Sequence, residues 1–123
     1  MKLITLALFV TGALAADCFG SKQSGGISDK HQQAYWEARQ KMCSNSDCAL
    51  QQPCTTTASR TAGFISVTLN VKLQRKNTAD KPGFKDCWDA TENIIQQCMR
   101  GGYLTGTWEA NGQLYQMTGN YKA

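Results

Sequence analysis

Asp86 to Gly119 reads DCWDATENIIQQCMRGGYLTGTWEANGQLYQMTG, and two patterns inside it decide the fold. The first is the spacing of Cys87 and Cys98. Eleven helical steps return to within roughly 20° of the starting direction, three turns along. Both sulfurs therefore share a face, with Thr91, Ile94 and Ile95 between them. The second pattern is Asn111-Gly112, the pair that best suits a type I′ hairpin turn because both central residues need positive φ. Pairing outward from that turn sets Ala110 against Gln113, Trp108 against Tyr115 and Gly106 against Met117. Leu104, Trp108, Ala110, Tyr115, Met117 and Tyr121 then lie on one face, with Thr105, Thr107, Glu109, Gln116 and Thr118 on the other. Leu114 is the only misfit. A helix clamped by cysteines over a half-buried antiparallel sheet follows.

Working outward, residues 63–73 predict a central strand, with Ile65, Val67, Leu69, Val71 and Leu73 alternating with polar residues. Asp29 is placed to cap an earlier helix, with Gln32 at the capping-box position. That helix runs to about Met42 on a stripe of Ala34, Tyr35, Ala38 and Met42; Trp36 lies beside the stripe, while Lys30, Glu37 and Lys41 face away. The Thr-rich segment 48–63 predicts a loop with at most a short edge strand. Residues 74–85 predict a basic loop carrying Arg75, Lys76, Lys81 and Lys85. Asp86 is the expected cap of the second helix, and Gly101-Gly102 its left-handed end. Two helices on one face of an antiparallel sheet make an α+β two-layer sandwich.

Residues 1–16 read as a secretory signal peptide: Met1-Lys2, an apolar run over 3–14 and small residues before the expected cleavage site. The remainder, 17–123, is long enough for one domain and is expected to be extracellular. No later segment has the length of a membrane span. Formal net charge is +4 for the full chain, one unit less without Lys2, which is too mild to argue for nucleic acid. All six cysteines follow the signal, so a disulfide framework is expected, with its pairing open. The cysteine spacings and the single histidine, His31, do not suit zinc, and no cofactor or metal is expected.

With these residues placed, the chain resembles the killer-protein-four toxins of fungi and their secreted relatives. The likeness rests on Cys18-x-Gly20-Ser21-x-Gln23, a helix ending at Cys43, the alternating strand at 65–73, Cys87-x10-Cys98 on a helix, and Gly112-Gln113-Leu114 opening the last strand. The resemblance implies five antiparallel strands and two helices. It also implies that Cys18 pairs with Cys98 and Cys54 with Cys87, leaving Cys43 and Cys48 to close a local loop. The founding toxin has ten cysteines and blocks calcium channels through a lysine on a mid-chain loop. The equivalent stretch here, 55–63, holds Arg60 as its only basic residue.

Function is expected from binding, not catalysis. His31 lacks a nucleophile signature and reads as a solvated helix residue. Glu37 and Arg39 project about 200° apart on a helix, so with His31 they form no ribonuclease-like set. The candidate contact surface is Arg75, Lys76, Lys81 and Lys85, with Lys22 and Arg60 as further cations. Its expected partner is a channel, cell-wall or membrane component of another cell. The alternative is a lectin-like protein that stacks sugars on Trp36 or Trp88. A monomer or weak homodimer is expected, the latter through a sheet edge.

Overall fold

The computed structural model describes residues 15–79 and 83–122. Apart from Ala15 and Ala16, the expected signal peptide lies outside that range, as does Lys81. The chain runs β1 (Asp17–Lys22), α1 (Asp29–Cys43), β2 (Cys54–Ala62), β3 (Val67–Asn77), α2 (Cys87–Ile94), β4 (Tyr103–Ala110) and β5 (Gln113–Lys122). A π-helical segment, Ile95–Met99, continues α2. The five strands form one antiparallel sheet in the order β1-β4-β5-β3-β2, and both helices pack on the same face.

The Asn111-Gly112 turn closes with φ of 55° and 77°, and the β4–β5 register is the expected one: Ala110 faces Gln113, Trp108 faces Tyr115 and Gly106 faces Met117. Alternation carries that register into burial. Trp108, Tyr115 and Met117 lie in the core with Leu69, Val71 and Leu73 of β3. From above, α1 contributes Ala34, Tyr35, Ala38 and Met42, and α2 with its extension contributes Ala90, Thr91, Ile94, Ile95, Cys98 and Met99. Two glycines set the helix-to-sheet distance. A Cβ at Gly106 would lie 2.8 Å from Cys98 Sγ, and one at Gly119 would lie 2.0 Å from the Tyr35 hydroxyl. That hydroxyl donates to Leu104 O at 2.9 Å, and burial pushes its pKa up.

Several details differ from expectation. Ser28, not Asp29, caps α1: its hydroxyl accepts from His31 N, while Gln32 Nε2 donates to Ile27 O. Asp86 precedes α2, but its carboxylate makes no cap. It accepts instead from Gln113 Nε2 at 2.6 Å and Asn111 Nδ2 at 3.3 Å, tying the helix start to the β4–β5 turn. The expected loop over 48–63 contains the nine-residue edge strand β2, whose Thr-rich sequence suits a pleated surface without apolar alternation. The strand expected over 63–73 starts later and runs further, because Gly63 (φ 93°) and Ser66 (φ 53°) bound a hairpin turn closed by Ser66 N donating to Gly63 O at 3.1 Å. Ile65 therefore stands in the turn, and Gln74 to Asn77 belong to the strand, not to a basic loop.

The disulfides are Cys18–Cys98, Cys43–Cys87 and Cys48–Cys54. The first is the implied pair; Cys54–Cys87 and Cys43–Cys48 are not formed. Cys43 ends α1 and Cys87 starts α2, so the two helices present these sulfurs to each other across their buried faces. Cys54, opening the edge strand, lies next to the short loop that carries Cys48.

Candidate functional site

Among the described residues, the expected cationic surface does not form as one patch. In β3 the residues facing the helices are 69, 71, 73 and 75, so Arg75 is turned inward and is only 2% exposed. Its Nε donates to Gln52 O at 2.8 Å, and Nη2 donates to Asn45 Oδ1 and Ala49 O at 3.1 Å each. The guanidinium lies 4.8 Å from the Phe84 ring centroid, and burial lowers its pKa. It organises the loop between α1 and β2 and presents no surface for a partner. Lys76 points to the opposite, helix-free face of the sheet, across from Leu114. Lys85 is exposed just before α2, at the same end of the molecule.

Lys22 and Arg60 belong to the other end. Lys22 pairs with Tyr103 at the start of β4, and Arg60 with Leu69 near the start of β3. Arg60 is also engaged: Nη1 donates to Glu37 Oε1, and Lys41 Nζ sits 3.3 Å from Glu37 Oε2. These donors hold the Glu37 carboxyl below its ordinary pKa, the Arg60 hydrogen bond contributing most. Lys41 Nζ also donates to Thr57 O, binding α1 to the edge strand, and Arg60 Nη1 donates to Ser59 O within that strand.

The aromatic candidates meet on the helical layer. The Arg39 guanidinium lies 5.3 Å from the Trp36 ring centroid and 4.8 Å from that of Trp88. It donates to Trp88 O and Thr91 Oγ1 and approaches Glu92 at 3.5 Å. Attraction between the cation and the ring faces holds the two indoles across the α1–α2 seam. Beside this stack, Asp29, Gln32, Gln33, Trp36 and Arg100 line an open cleft of about 510 Å³.

His31 is buried, contrary to the solvated reading. Its Nδ1 lies 3.0 Å from Ser28 Oγ and Nε2 lies 2.9 Å from Val67 O, with Tyr121 against the ring edge. Because a carbonyl only accepts, Nε2 carries a proton and donates it to Val67 O. The contact joins the start of α1 to the start of β3. Glu37 and Arg39 turn to different partners, so the three do not converge. Among the described residues, no three His, Cys, Asp or Glu side chains gather as a metal site would need, and no helix is long and apolar enough to cross a membrane.

Missed from sequence are Phe64 and Ile65, 104% and 75% exposed at the tip of the β2–β3 hairpin. The flanking Gly63 and Ser66 were the available signal, but Ile65 also fits the strand alternation and was absorbed by it.

Fold and surface together define a small three-disulfide α+β sandwich whose expected contact cations, among the described residues, divide between two ends. The chain matches no family model, no curated protein and no solved structure.

Proposed function

We propose that this is a secreted, killer-toxin-like protein that acts without catalysis, by binding a target on competing or host cells. Ion-channel interference and a virulence-effector role are the two forms such action would take. The observation that carries the reading is architectural. The five antiparallel strands, the two helices and the Cys18–Cys98 bridge are those implied by the toxin resemblance. Three disulfides in a small domain are a feature of extracellular proteins. The side chains most suited to acid–base work are spent on the scaffold: His31 on Val67, Glu37 on Arg60 and Lys41, Asp86 on Gln113. A fold alone does not confer an activity, so the test is functional. Oxidised protein added to fungal cultures and plant roots should inhibit growth, with a reduced and alkylated sample inactive. Relief by excess calcium would favour a channel target, and indifference to calcium another surface component. No inhibition at micromolar dose would sink the toxin reading.

The cleft beside Trp36 favours a second reading, carbohydrate binding. It offers an indole wall together with the amide, carboxylate and guanidinium groups that sugar hydroxyls require. Under this reading, cell-wall oligosaccharides bind the wild type in calorimetry and Trp36→Ala abolishes the heat signal. An equal signal from both proteins would exclude the cleft.

A further inference from the structure

Phe64 and Ile65 stand out against the rest of the surface. A large apolar side chain left fully in water is ordinary when single, but two adjacent ones on a projecting turn mark an interaction site. The turn that displays them is well defined. Gly63 and Ser66 both take left-handed φ, Ser66 N closes on Gly63 O, and Thr61 and Thr68 brace the stem through their hydroxyls at 2.7 Å. The tip is thus built to project.

The second observation is the charge behind it. Strand register brings the ends of β1, β2 and β5 and the starts of β3 and β4 to this same end of the sheet. Lys122 pairs with Thr68, two residues behind Ser66, and Lys22 pairs with Tyr103. Lys30 stands in the first turn of α1, which His31 fastens to Val67, and Arg100 immediately precedes Gly101-Gly102 and β4. All four cations are exposed. Among the carboxylates of the described residues, Asp29 stands at this end beside Lys30; Glu37 is held by Arg60 and Lys41, Asp17 pairs at mid-sheet with Thr107, Glu92 faces Arg39 midway along α2, and Asp47, Asp86, Asp89 and Glu109 lie toward the other end.

We propose that this end of the molecule docks on an anionic lipid surface, with Phe64 and Ile65 entering the interface and Lys22, Lys30, Arg100 and Lys122 meeting the headgroups. The proposal deepens the cell-surface reading above and rests on it for its setting. The geometry favours lipid over a protein pocket for two reasons. The feature is a convex tip, and register steps two of its cations back from it, Lys122 level with Thr68 and Lys22 about level with Asn70, roughly 10 and 17 Å behind Ile65 at the strand rise, where extended lysine side chains reach toward the headgroup layer. Juxtamembrane cations add attraction to an anionic leaflet that salt screens. Docking by the tip alone is peripheral anchoring and involves no crossing of the bilayer.

The experiment is co-sedimentation of the oxidised protein with vesicles of equal parts phosphatidylserine and phosphatidylcholine, against vesicles of phosphatidylcholine alone. Wild type should bind the anionic vesicles, more weakly as salt rises. Phe64→Ser with Ile65→Ser should lose on the order of 100-fold in affinity. Its Tm should stay unchanged, since neither side chain is packed. Lys22→Glu with Lys122→Glu should remove the preference for anionic vesicles. In Phe64→Trp, the emission difference from wild type should shift to the blue on binding. No binding of wild type, or equal binding of the Phe64/Ile65 variant, overturns the proposal. So does loss of cell action by that variant when wild type ignores vesicles, a result that would place the tip in a protein receptor. Vesicle binding with no effect on any cell upholds the lipid contact and removes the toxin reading, so the two fail separately.

Discussion

Arg75 shows how one side chain can reverse a functional assignment. Beside Lys76 it has the composition of a binding loop, yet it continues the inward parity of Leu69, Val71 and Leu73 and arrives under the loop it supports. Three charge-assisted hydrogen bonds and the Phe84 stack make it a structural residue. Arg75→Ala should therefore cost about 2–4 kcal/mol in denaturant unfolding, because two carbonyls and an amide oxygen lose their donor together. Arg75→Lys should recover little of this, as one ammonium cannot reproduce the fork. A stability loss below about 1 kcal/mol for Arg75→Ala would show that the loop does not depend on it. Gly119 gives a second prediction of the same kind. Its missing Cβ is the space that Tyr35 occupies, so Gly119→Ala should destabilise by about 2–3 kcal/mol. In a Tyr35→Phe background the penalty should shrink, since the closest atom is gone. Equal penalties in the two backgrounds would place the clash elsewhere.

Elements differ in how plainly they were written. The β4–β5 hairpin was legible to the register because a turn dipeptide and two alternating strands gave the same pairing. The helical stripes were legible because Ala34, Tyr35, Ala38 and Met42, and Cys87, Thr91, Ile94 and Cys98, recur at helical spacing. Strand β2 was not, because its inward positions are Thr56 and Ala58 and its identity comes from pairing with β3. The cationic site failed for a related reason: closeness in sequence along a strand alternates between two faces. Disulfide pairing is a property of how elements pack, and the observed set assigns each bridge a different task. Cys43–Cys87 joins the two helices, Cys18–Cys98 joins the end of the second helix to edge strand β1, and Cys48–Cys54 closes a local loop. Chain-entropy arguments give losses of about 4, 4.5 and 2 kcal/mol respectively for paired Cys→Ser changes. Peptide mapping of unreduced protein should return these three pairs. Denaturant titration should rank the Cys48/Cys54 variant the most stable of the three; a reversed order would show that local strain or residual structure outweighs chain entropy.

On the scale of the whole molecule, the sheet has a covered face, an open polar face and two edges, and the edges decide its state in solution. Edge β1 is short and irregular, with a break in its pairing between Phe19 and Lys22. Edge β2 is long and regular, the kind of strand that invites a second copy. Along it run Lys41 and Arg60, joined through Glu37, with two strand carbonyls already accepting from these cations. Charged side chains on an edge strand oppose pairing, so the protein should sediment as a monomer at neutral pH. Lys41→Ala with Arg60→Ala should introduce concentration-dependent self-association. The strap is also acid-sensitive in a defined direction. The pKa of Glu37 is depressed by folding, so its contribution is present above the ordinary carboxylate range and is lost as pH falls through the lower folded value. Because Glu37 is a third exposed, the stabilisation should not exceed about 1 kcal/mol. Glu37→Gln should lower the Tm slightly at pH 7 and converge with wild type in strong acid. A Glu37→Gln difference that persists undiminished at low pH would trace the effect to packing, and dimerisation of wild type at neutral pH would show that the strap fails to guard the edge.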